Sequence, residues 1–182
     1  MPHVATDLCP EHFRQMAALE ARYYEEAFIT PAEEAWLWYR RYPYTTTAAL
    51  HREQVVGFVN LFPVKASVFE ALRSGQMNDH DLSAADVEDL RAPASLPMDM
   101  FLSCILVEPA YRPQGLTRRL LQAAVQPYLP HLKHCRNVLV DTVTPAGAAF
   151  AKRYGFSLLG ESSHSSVLHM QSFVSLLAQL GF

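Results

Sequence analysis

Apolar residues lie three or four positions apart in the first quarter of the chain, which is the spacing of one helix face. They predict a helix over about 10–25. Thr30, Pro31 and Glu33 then match an N-cap, a first helical position and a capping box, and so predict the start of a second helix. Pro43 is expected to end that helix, because its ring is incompatible with a helix interior.

The pattern then changes to β-type alternation and continuous apolar runs. Residues 45–64 contain two β-prone segments around the polar turn His51 to Gln54, which is typical of an antiparallel hairpin. Residues 98–107 and 137–143 are apolar enough to be buried strands, and 116–125 has the spacing of an amphipathic helix. The other predicted elements are a strand at 3–6, a short helix after Pro145 that Gly155 stops, one or two strands within 156–173 and a helical tail over 173–180.

This order of elements predicts an α/β fold with a mixed sheet. The strand at 98–107, the helix at 116–125 and the strand at 137–143 form a strand–helix–strand unit, which favours parallel pairing of its two strands. With 182 residues, half of them apolar, the chain is predicted to form a single domain over 1–182.

Residues 65–97 differ from the rest and are predicted to be an insertion packed on that domain. This stretch carries six acidic residues, two predicted short helices at 67–74 and 83–90, and a proline-rich end. It has too few apolar residues for a core of its own. A lid over the acceptor site and a homodimer contact are the two roles left open for it.

Charge and cysteine content exclude several classes of function. A net charge of −3 gives no basic surface for nucleic acid, and no stretch reaches about 18 uninterrupted apolar residues, so neither nucleic acid nor a membrane is an expected partner. The N-terminus lacks the basic start of an export signal, which favours a cytoplasmic protein. Cys9, Cys104 and Cys135 have no metal-binding spacing, so we expect reduced thiols, with Cys104 buried, and no metal site.

The candidate chemistry lies where the buried strand ends at Val107 and a glycine-containing turn leads into the next helix. The first amides of a helix have no intrahelical partner, and the helix dipole is positive there, so the turn is a predicted diphosphate site. Gly115 would let the main chain approach the phosphates closely, and Arg112 would add a positive charge.

Residues 107–117, Val-Glu-Pro-Ala-Tyr-Arg-Pro-Gln-Gly-Leu-Thr, resemble the acyl-CoA-binding motif of the GNAT superfamily of acyltransferases, [Gln/Arg]-x-x-Gly-x-[Gly/Ala]. The resemblance implies a GNAT-like, mostly antiparallel central sheet with flanking helices, and acetyl-CoA or another acyl-CoA as co-substrate. Thr117 stands where the family usually has Gly or Ala. The implied cofactor-binding residues are the strand main chain of Ile105, Leu106 and Val107 for the pantetheine arm, and Arg112, Pro113, Gln114, Gly115, Leu116 and Thr117 for the diphosphate.

The segment 144–160 resembles the second family signature, a helix that ends in Gly-Phe, here Gly155-Phe156. Family members commonly carry an Asn near the start of this helix and, four residues before the Gly, a Tyr credited with protonating the CoA thiolate. Pro145 and Ala151 stand at those positions. The resemblance therefore implies that another group, water or no acid serves that step.

The resemblance implies direct attack of a primary amine, on a small molecule or a protein, at the thioester. Such a step needs a base for the amine proton. Asp99 and Ser103 lie on one face of the strand that would bind the pantetheine, because side chains two residues apart point the same way. Asp99 is the candidate base or ammonium ligand, and Ser103 the candidate to orient water or the acceptor; structural roles at a strand end are the alternative for both.

For the other polar and aromatic candidates, structural roles compete with functional ones. His164 and His169 have suitable intrinsic pKa values for acid–base work, but a surface position is the default for both. Tyr154 is expected to be a core residue. The resemblance implies that the aromatic residues Trp36, Trp38, Tyr39, Tyr42 and Tyr44 flank the acceptor groove, and about half of them are expected to be core instead. A CoA-binding module without turnover is the non-enzymatic alternative, because the usual Tyr is missing.

Overall fold

Strands and helices follow the predicted order in the computed structural model, which describes residues 1–91, 97–161 and 166–182. The strands are β1 His3–Ala5, β2 Thr46–His51, β3 Gln54–Val64, β4 Met98–Val107, β5 Cys135–Thr142, β6 Ser157–Glu161 and β7 Val167–Ser172. The helices are α1 Pro10–Glu20, α2 Ala32–Arg41, α3 Ala66–Arg73, α4 Leu116–Val125, α5 Pro145–Arg153 and α6 Phe173–Leu180. Short 3₁₀ segments lie at Glu26–Phe28, Asp79–Asp81, Pro109–Gln114 and Gln126–His134.

The seven strands form one sheet in the order β1-β2-β3-β4-β5-β7-β6. Pairing is antiparallel between β1 and β2, β2 and β3, β5 and β7, and β6 and β7. It is parallel between β4 and β5, the two strands that α4 connects. The predicted mixed, mostly antiparallel sheet with a parallel strand–helix–strand unit is confirmed.

Two compact units can be distinguished along the chain. The first consists of Met1–Asn60 and Cys104–Gln126, and the second of Leu61–Ser103 and Pro127–Phe182. Strands β3 and β4 each contribute residues to both units. The organisation as one domain with an insertion at 65–97 stays a prediction.

The core of the first unit is formed where α1 and α2 bury their apolar faces against the strands. Phe13, Met16 and Leu19 are buried at helical spacing on α1, and they pack with the buried Phe58 and Leu106 of the strands. Aromatic residues supply much of this core: Phe13 contacts the rings of Trp36 and Tyr39 at centroid distances of 5.6 and 5.3 Å. The Tyr39 hydroxyl also accepts a hydrogen bond from the Leu8 amide and donates one to the Thr6 carbonyl, which ties α2 to the N-terminal segment.

Two helix ends differ from the sequence-based expectations. Helix α1 ends at Glu20, since residues 21–23 are in turns instead of continuing to 25. Helix α2 begins at Ala32 with Pro31 as its N-cap, and no side chain caps it. The expected capping box at Thr30 is therefore wrong: Pro31 itself has the non-helical backbone of a cap, with φ −54° and ψ 137°.

In the second unit, Tyr128 is fully buried and anchors the sheet. Its hydroxyl donates to the Leu61 carbonyl at 2.6 Å, and its ring meets that of Phe173 edge to face. Helix α6, which begins at Phe173, buries four apolar residues over two turns. The predicted helical tail is thus part of the core.

The segment 83–90, predicted to be a helix, is instead turns and a short bridge. The amide and hydroxyl of Ser83 both donate to the Asp86 carboxylate at 2.8 Å, which closes a turn. Val87 then pairs antiparallel with Val64 at the end of β3, flanked by backbone bonds from Lys65 to Asp86 and from Glu88 to Pro63. Backbone pairing to β3 replaces the helical bonds, so the second predicted helix is wrong, whereas the first matches α3.

All three cysteines are free thiols, as expected, but their environments differ. Cys9 is exposed, Cys135 is buried, and Cys104 is half-buried instead of fully buried. Burial raises the pKa of the Cys135 thiol to about 11.

We expect iodoacetamide at about pH 8 to alkylate Cys9 rapidly and Cys135 very slowly, because only the thiolate is nucleophilic. Mass spectrometry of labelled peptides over time provides the measurement. In denaturant the two rates should converge, and similar rates in the native protein would contradict the burial of Cys135.

Candidate functional site

The turn between β4 and α4 is exposed and has an unusual backbone. Residues Pro109–Gln114 form the 3₁₀ segment, and Gly115 follows with φ 71° and ψ 17°, in the left-handed region. Only glycine adopts this conformation without steric cost. A Cβ placed on Gly115 would meet nothing within 4 Å, so the main chain here faces open space.

The start of α4 has the properties of an anion site. The Arg119 amide bonds to the Gly115 carbonyl at 3.2 Å in the first turn, so the amides of Leu116 and Thr117 precede that bond and have no acceptor four residues back in the helix. Leu116 is fully buried and fixes the first turn, while Thr117 is half-buried. The start of α4 therefore combines the positive end of the helix dipole, the amides of the first turn and open space at Gly115, and this combination fits a diphosphate.

At the end of β4, the direction of the backbone N–H and C=O groups depends on the neighbouring strand β3, which the sequence pattern does not show. A Cβ on Gly57 of β3 would lie 2.8 Å from the Leu106 carbonyl oxygen, so that carbonyl faces β3. Along a strand, successive residues direct their N–H and C=O groups to opposite sides, so those of Ile105 and Val107 point away from β3. The registered pairs of β4 with β5 end at Leu102 and Val140, before these residues.

Arg112 is exposed, but it is also part of the loop's own structure. Its Nε donates to the Val107 carbonyl at 2.8 Å, which anchors the loop to the strand end. Gln114 similarly bonds back to the Ala110 carbonyl at 3.3 Å. The Val107 carbonyl is thus already engaged, whereas Ile105 is half-buried and makes no pair in that ladder.

Asp99, the candidate base, is only 4% exposed and has two side-chain partners on β5. Its oxygens accept hydrogen bonds from Arg136 at 2.8 Å and from Asn137 at 2.7 Å. These partners lie in a bulge: Met98 pairs with Cys135 and Met100 with Val138, so two β5 residues stand opposite Asp99. This geometry favours a structural role in holding the bulge, and the role of Asp99 as base stays a prediction.

The other catalytic candidates lie in different surroundings. Ser103 is half-buried on β4, one residue past the last registered pair. Ala151 is fully buried at the family's Tyr position and has no proton to give. Tyr154 is buried against Phe150, as expected for a core residue. His169 is 8% exposed instead of on the surface, and burial lowers its pKa while Asp141 opposes that shift.

His164 lies outside the described residues. Among the residues that the structure does describe, no group of histidine, cysteine or acidic side chains could hold a metal ion. Nor does any helix in the described ranges have the length and apolar character needed to cross a membrane.

Two contacts near the loop were missed by the sequence analysis. His51 Nδ1 and the Tyr111 hydroxyl are 2.6 Å apart, and the Cys104 thiol lies 3.5 Å from a carboxylate oxygen of Glu20. Each pair is separated by at least 60 residues of sequence, so no local pattern could have signalled it.

Comparisons with known proteins identify the family and the fold of this chain. The sequence profile described as the acetyltransferase (GNAT) family matches residues 13–156. The chain therefore belongs to the GNAT acetyltransferase family, whose members use acyl-CoA. No curated protein matches the chain in sequence.

Solved structures share the fold at low sequence identity. The loading GNATL domain of CurA from Lyngbya majuscula is 15% identical with a TM-score of 0.68, over 94% of this chain and 98% of that one. Arabidopsis thaliana Naa50, solved with the bisubstrate analogue CoA-Ac-MVNAL, is 13% identical with a TM-score of 0.59, over 94% and 99%. The PaiA N-acetyltransferase from Thermoplasma acidophilum, solved with coenzyme A, is 11% identical with a TM-score of 0.54, over 95% and 99%.

Replacing Gly57 by alanine is expected to destabilise the protein by about 1–3 kcal/mol, because the new methyl would overlap the Leu106 carbonyl and force the backbone apart. The free energy of unfolding in urea is the measurement. Gly147→Ala is the matched control. Gly147 lies in helix α5, where alanine is the better helix former, and the new Cβ would be 3.3 Å from a Thr142 side-chain atom and not against a backbone carbonyl. Equal losses in both variants would contradict a close approach specific to Gly57.

Asp99→Asn separates the structural role from the role as base. Loss of the charged hydrogen bonds should lower the free energy of unfolding by about 1–3 kcal/mol. If Asp99 holds only the bulge, Arg136→Gln should reduce stability likewise, and both variants should keep turnover of the folded protein. A loss of kcat of about 100-fold or more in Asp99→Asn alone would instead establish the base role.

Proposed function

We propose that this protein is an acyl-CoA-dependent N-acyltransferase that transfers an acetyl group from acetyl-CoA to a primary amine. The observation that carries the proposal is the continuous path formed by the main chain of Ile105 and Val107, directed away from β3, and the open left-handed turn at Gly115. A strand edge followed by an anion site matches a pantetheine arm, with its amides, followed by a diphosphate.

The predicted cofactor residues divide into two groups along this path. Strand residues Ile105, Leu106 and Val107 would hold the arm, with Ile105 best placed to exchange main-chain hydrogen bonds, because Leu106 faces β3 and the Val107 carbonyl is taken by Arg112. The turn from Arg112 through Pro113 and Gln114 to Gly115, with the first amides of α4 at Leu116 and Thr117, would hold the diphosphate.

The proposed reaction is direct attack of the amine nitrogen on the thioester carbon. The nitrogen–carbon bond forms as the amine loses a proton, and the carbon–sulfur bond breaks to release the CoA thiolate. Strand amides would stabilise the oxyanion. Ser103 is the predicted residue to orient water or the acceptor. Because Ala151 has no donor, protonation of the thiolate would fall to water or another group.

A cationic acceptor is favoured by acidic residues of the second unit. Burial raises the pKa of Asp79 in the 65–97 segment, the neighbouring His80 lowers it, and the charge of Asp141 raises it. Asp141 also accepts a hydrogen bond from Ser166 at 2.7 Å. The six acidic residues of the 65–97 segment would attract a positively charged amine. Both small molecules and proteins carry such amines. A CoA-binding module without turnover is the alternative function, because the family's tyrosine is missing.

Calorimetric titration with CoA and acetyl-CoA is the first test of the proposed function. We expect micromolar binding to the native protein and its loss in Gly115→Gln, which strains the left-handed turn and fills the space before it. Gly160→Gln is the control, since a Cβ on Gly160 also meets nothing within 4 Å but its backbone is not left-handed. No binding by the native protein would overturn the proposal.

A screen of amine acceptors, read out as release of CoA thiol, then separates the two functions. Turnover with any primary amine supports the enzyme. CoA binding without turnover across polyamines, amino-sugar amines and peptide N-termini would favour the binding module.

A further inference from the structure

The turn end of the β2–β3 hairpin packs against the loop between β4 and α4. Strand register brings His51 opposite Gln54, so the hairpin turn has two residues, Arg52 and Glu53. Both have left-handed backbones, with φ 51° and 64°, where hairpins usually place asparagine or glycine. A non-glycine residue held in this region costs energy, and such turns persist when surrounding contacts hold them.

Contacts from helix α1 hold this turn. Gln15 of α1 accepts a hydrogen bond from the Val55 amide at 2.8 Å and reaches the Glu53 carbonyl with its own amide at 3.5 Å. The turn is therefore held from the helix side, and its two exposed side chains take no part in this support. The last residue before the turn, His51, is half-buried.

A bulge next to the turn makes a first link to the loop. Ala49 pairs with Gly57 and Leu50 with Val55, which leaves Val56 as the extra residue of β3. The Val56 carbonyl accepts a hydrogen bond at 2.9 Å from the amide of Glu108, the first residue after β4. The start of the loop is thus tied to the bulge.

His51 makes the second link, three residues further into the loop. Its Nδ1 is 2.6 Å from the Tyr111 hydroxyl, and the two rings meet edge to face, with centroids 5.5 Å apart and planes at 81°. The Tyr111 amide bonds to the Glu108 carbonyl at 2.9 Å, so the 3₁₀ turn between the two links is closed. Tyr111 immediately precedes Arg112, whose Nε returns to the Val107 carbonyl.

We infer that His51 is a positioning residue for CoA: through its hydrogen bond to Tyr111, the strained hairpin end holds the β4–α4 loop in the shape that receives the diphosphate. The inference rests on the proposed function, because it concerns the same cofactor. Neither residue needs to touch the ligand. A loop held in its binding shape avoids the entropy cost of ordering on binding, so the contact acts on CoA affinity.

The test is CoA calorimetry on His51→Ala, Tyr111→Phe and the double variant. Each single substitution removes the one hydrogen bond and should raise the Kd for CoA about fivefold to tenfold. Because both remove the same contact, the double variant should lose little more than either single variant. His51→Gln, whose side chain can still bond to the tyrosine hydroxyl, should recover much of the affinity.

Two further readouts separate positioning from a general loss of structure. Once an acceptor is available, KM for acetyl-CoA should rise in His51→Ala while kcat at saturation stays near the native value. His3→Ala is the control, because His3 is an exposed histidine on β1. It should change neither Kd nor KM.

The outcomes distinguish this inference from the proposed function. If the native protein binds CoA and His51→Ala binds it equally well, the positioning role is overturned and the proposed function stands. Full additivity of the two single substitutions would likewise overturn it, since the residues would then act independently. A native protein that does not bind CoA overturns both.

Discussion

The close approach of β3 to the end of β4 is the constraint on which the β4–α4 loop depends. Gly57 has no side chain, so the β3 backbone can lie where a methyl would be only 2.8 Å from the Leu106 carbonyl. That approach directs the Leu106 carbonyl toward β3, and the alternation of a strand then turns Ile105 and Val107 to the other side. One residue further on, the Glu108 amide donates a hydrogen bond to the carbonyl of Val56, the bulge residue of β3. A position that reads in sequence as an ordinary strand glycine thus sets the direction of the backbone groups proposed to meet the pantetheine arm.

Polar side chains around β4 have unequal roles. Asp99, deep in the sheet, is fully occupied with the β5 bulge through Arg136 and Asn137. Past Leu102 the strand is no longer registered with β5, and residues 103–105 are half-buried, whereas Leu106 and Val107 are buried again. Chemistry in this protein is therefore expected to depend on main-chain groups and a positioned thioester, since orientation alone can supply a large part of the acceleration of acyl transfer. The buried alanine at position 151 agrees with such an arrangement, because no donor replaces the family's tyrosine there.

The sequence predicted most of the fold correctly because hydrophobic periodicity reports burial, and burial decides which elements form. It failed where a local pattern was overridden by partners distant in sequence. Residues 83–90 have the composition of a helix, yet Val87 finds a strand partner at Val64. Thr30 has the chemistry of a cap, but Pro31 takes that position. Cys104 reads as buried within its apolar run, whereas it lies half-buried beside Glu20 of α1.

At the site, the loop could be predicted from sequence, because the glycine at position 115 and the helix that follows are local features whose backbone chemistry does not depend on distant residues. Family membership follows from the same residues and from the match over 13–156. The side-chain partners of the candidate residues depend on the fold: Tyr111 contacts His51 across 60 residues of sequence, and Asp99 contacts Asn137 across 38. The physical reason is that hydrogen bonds and close contacts are set by distances in the folded chain, which alternation and spacing along the sequence do not encode.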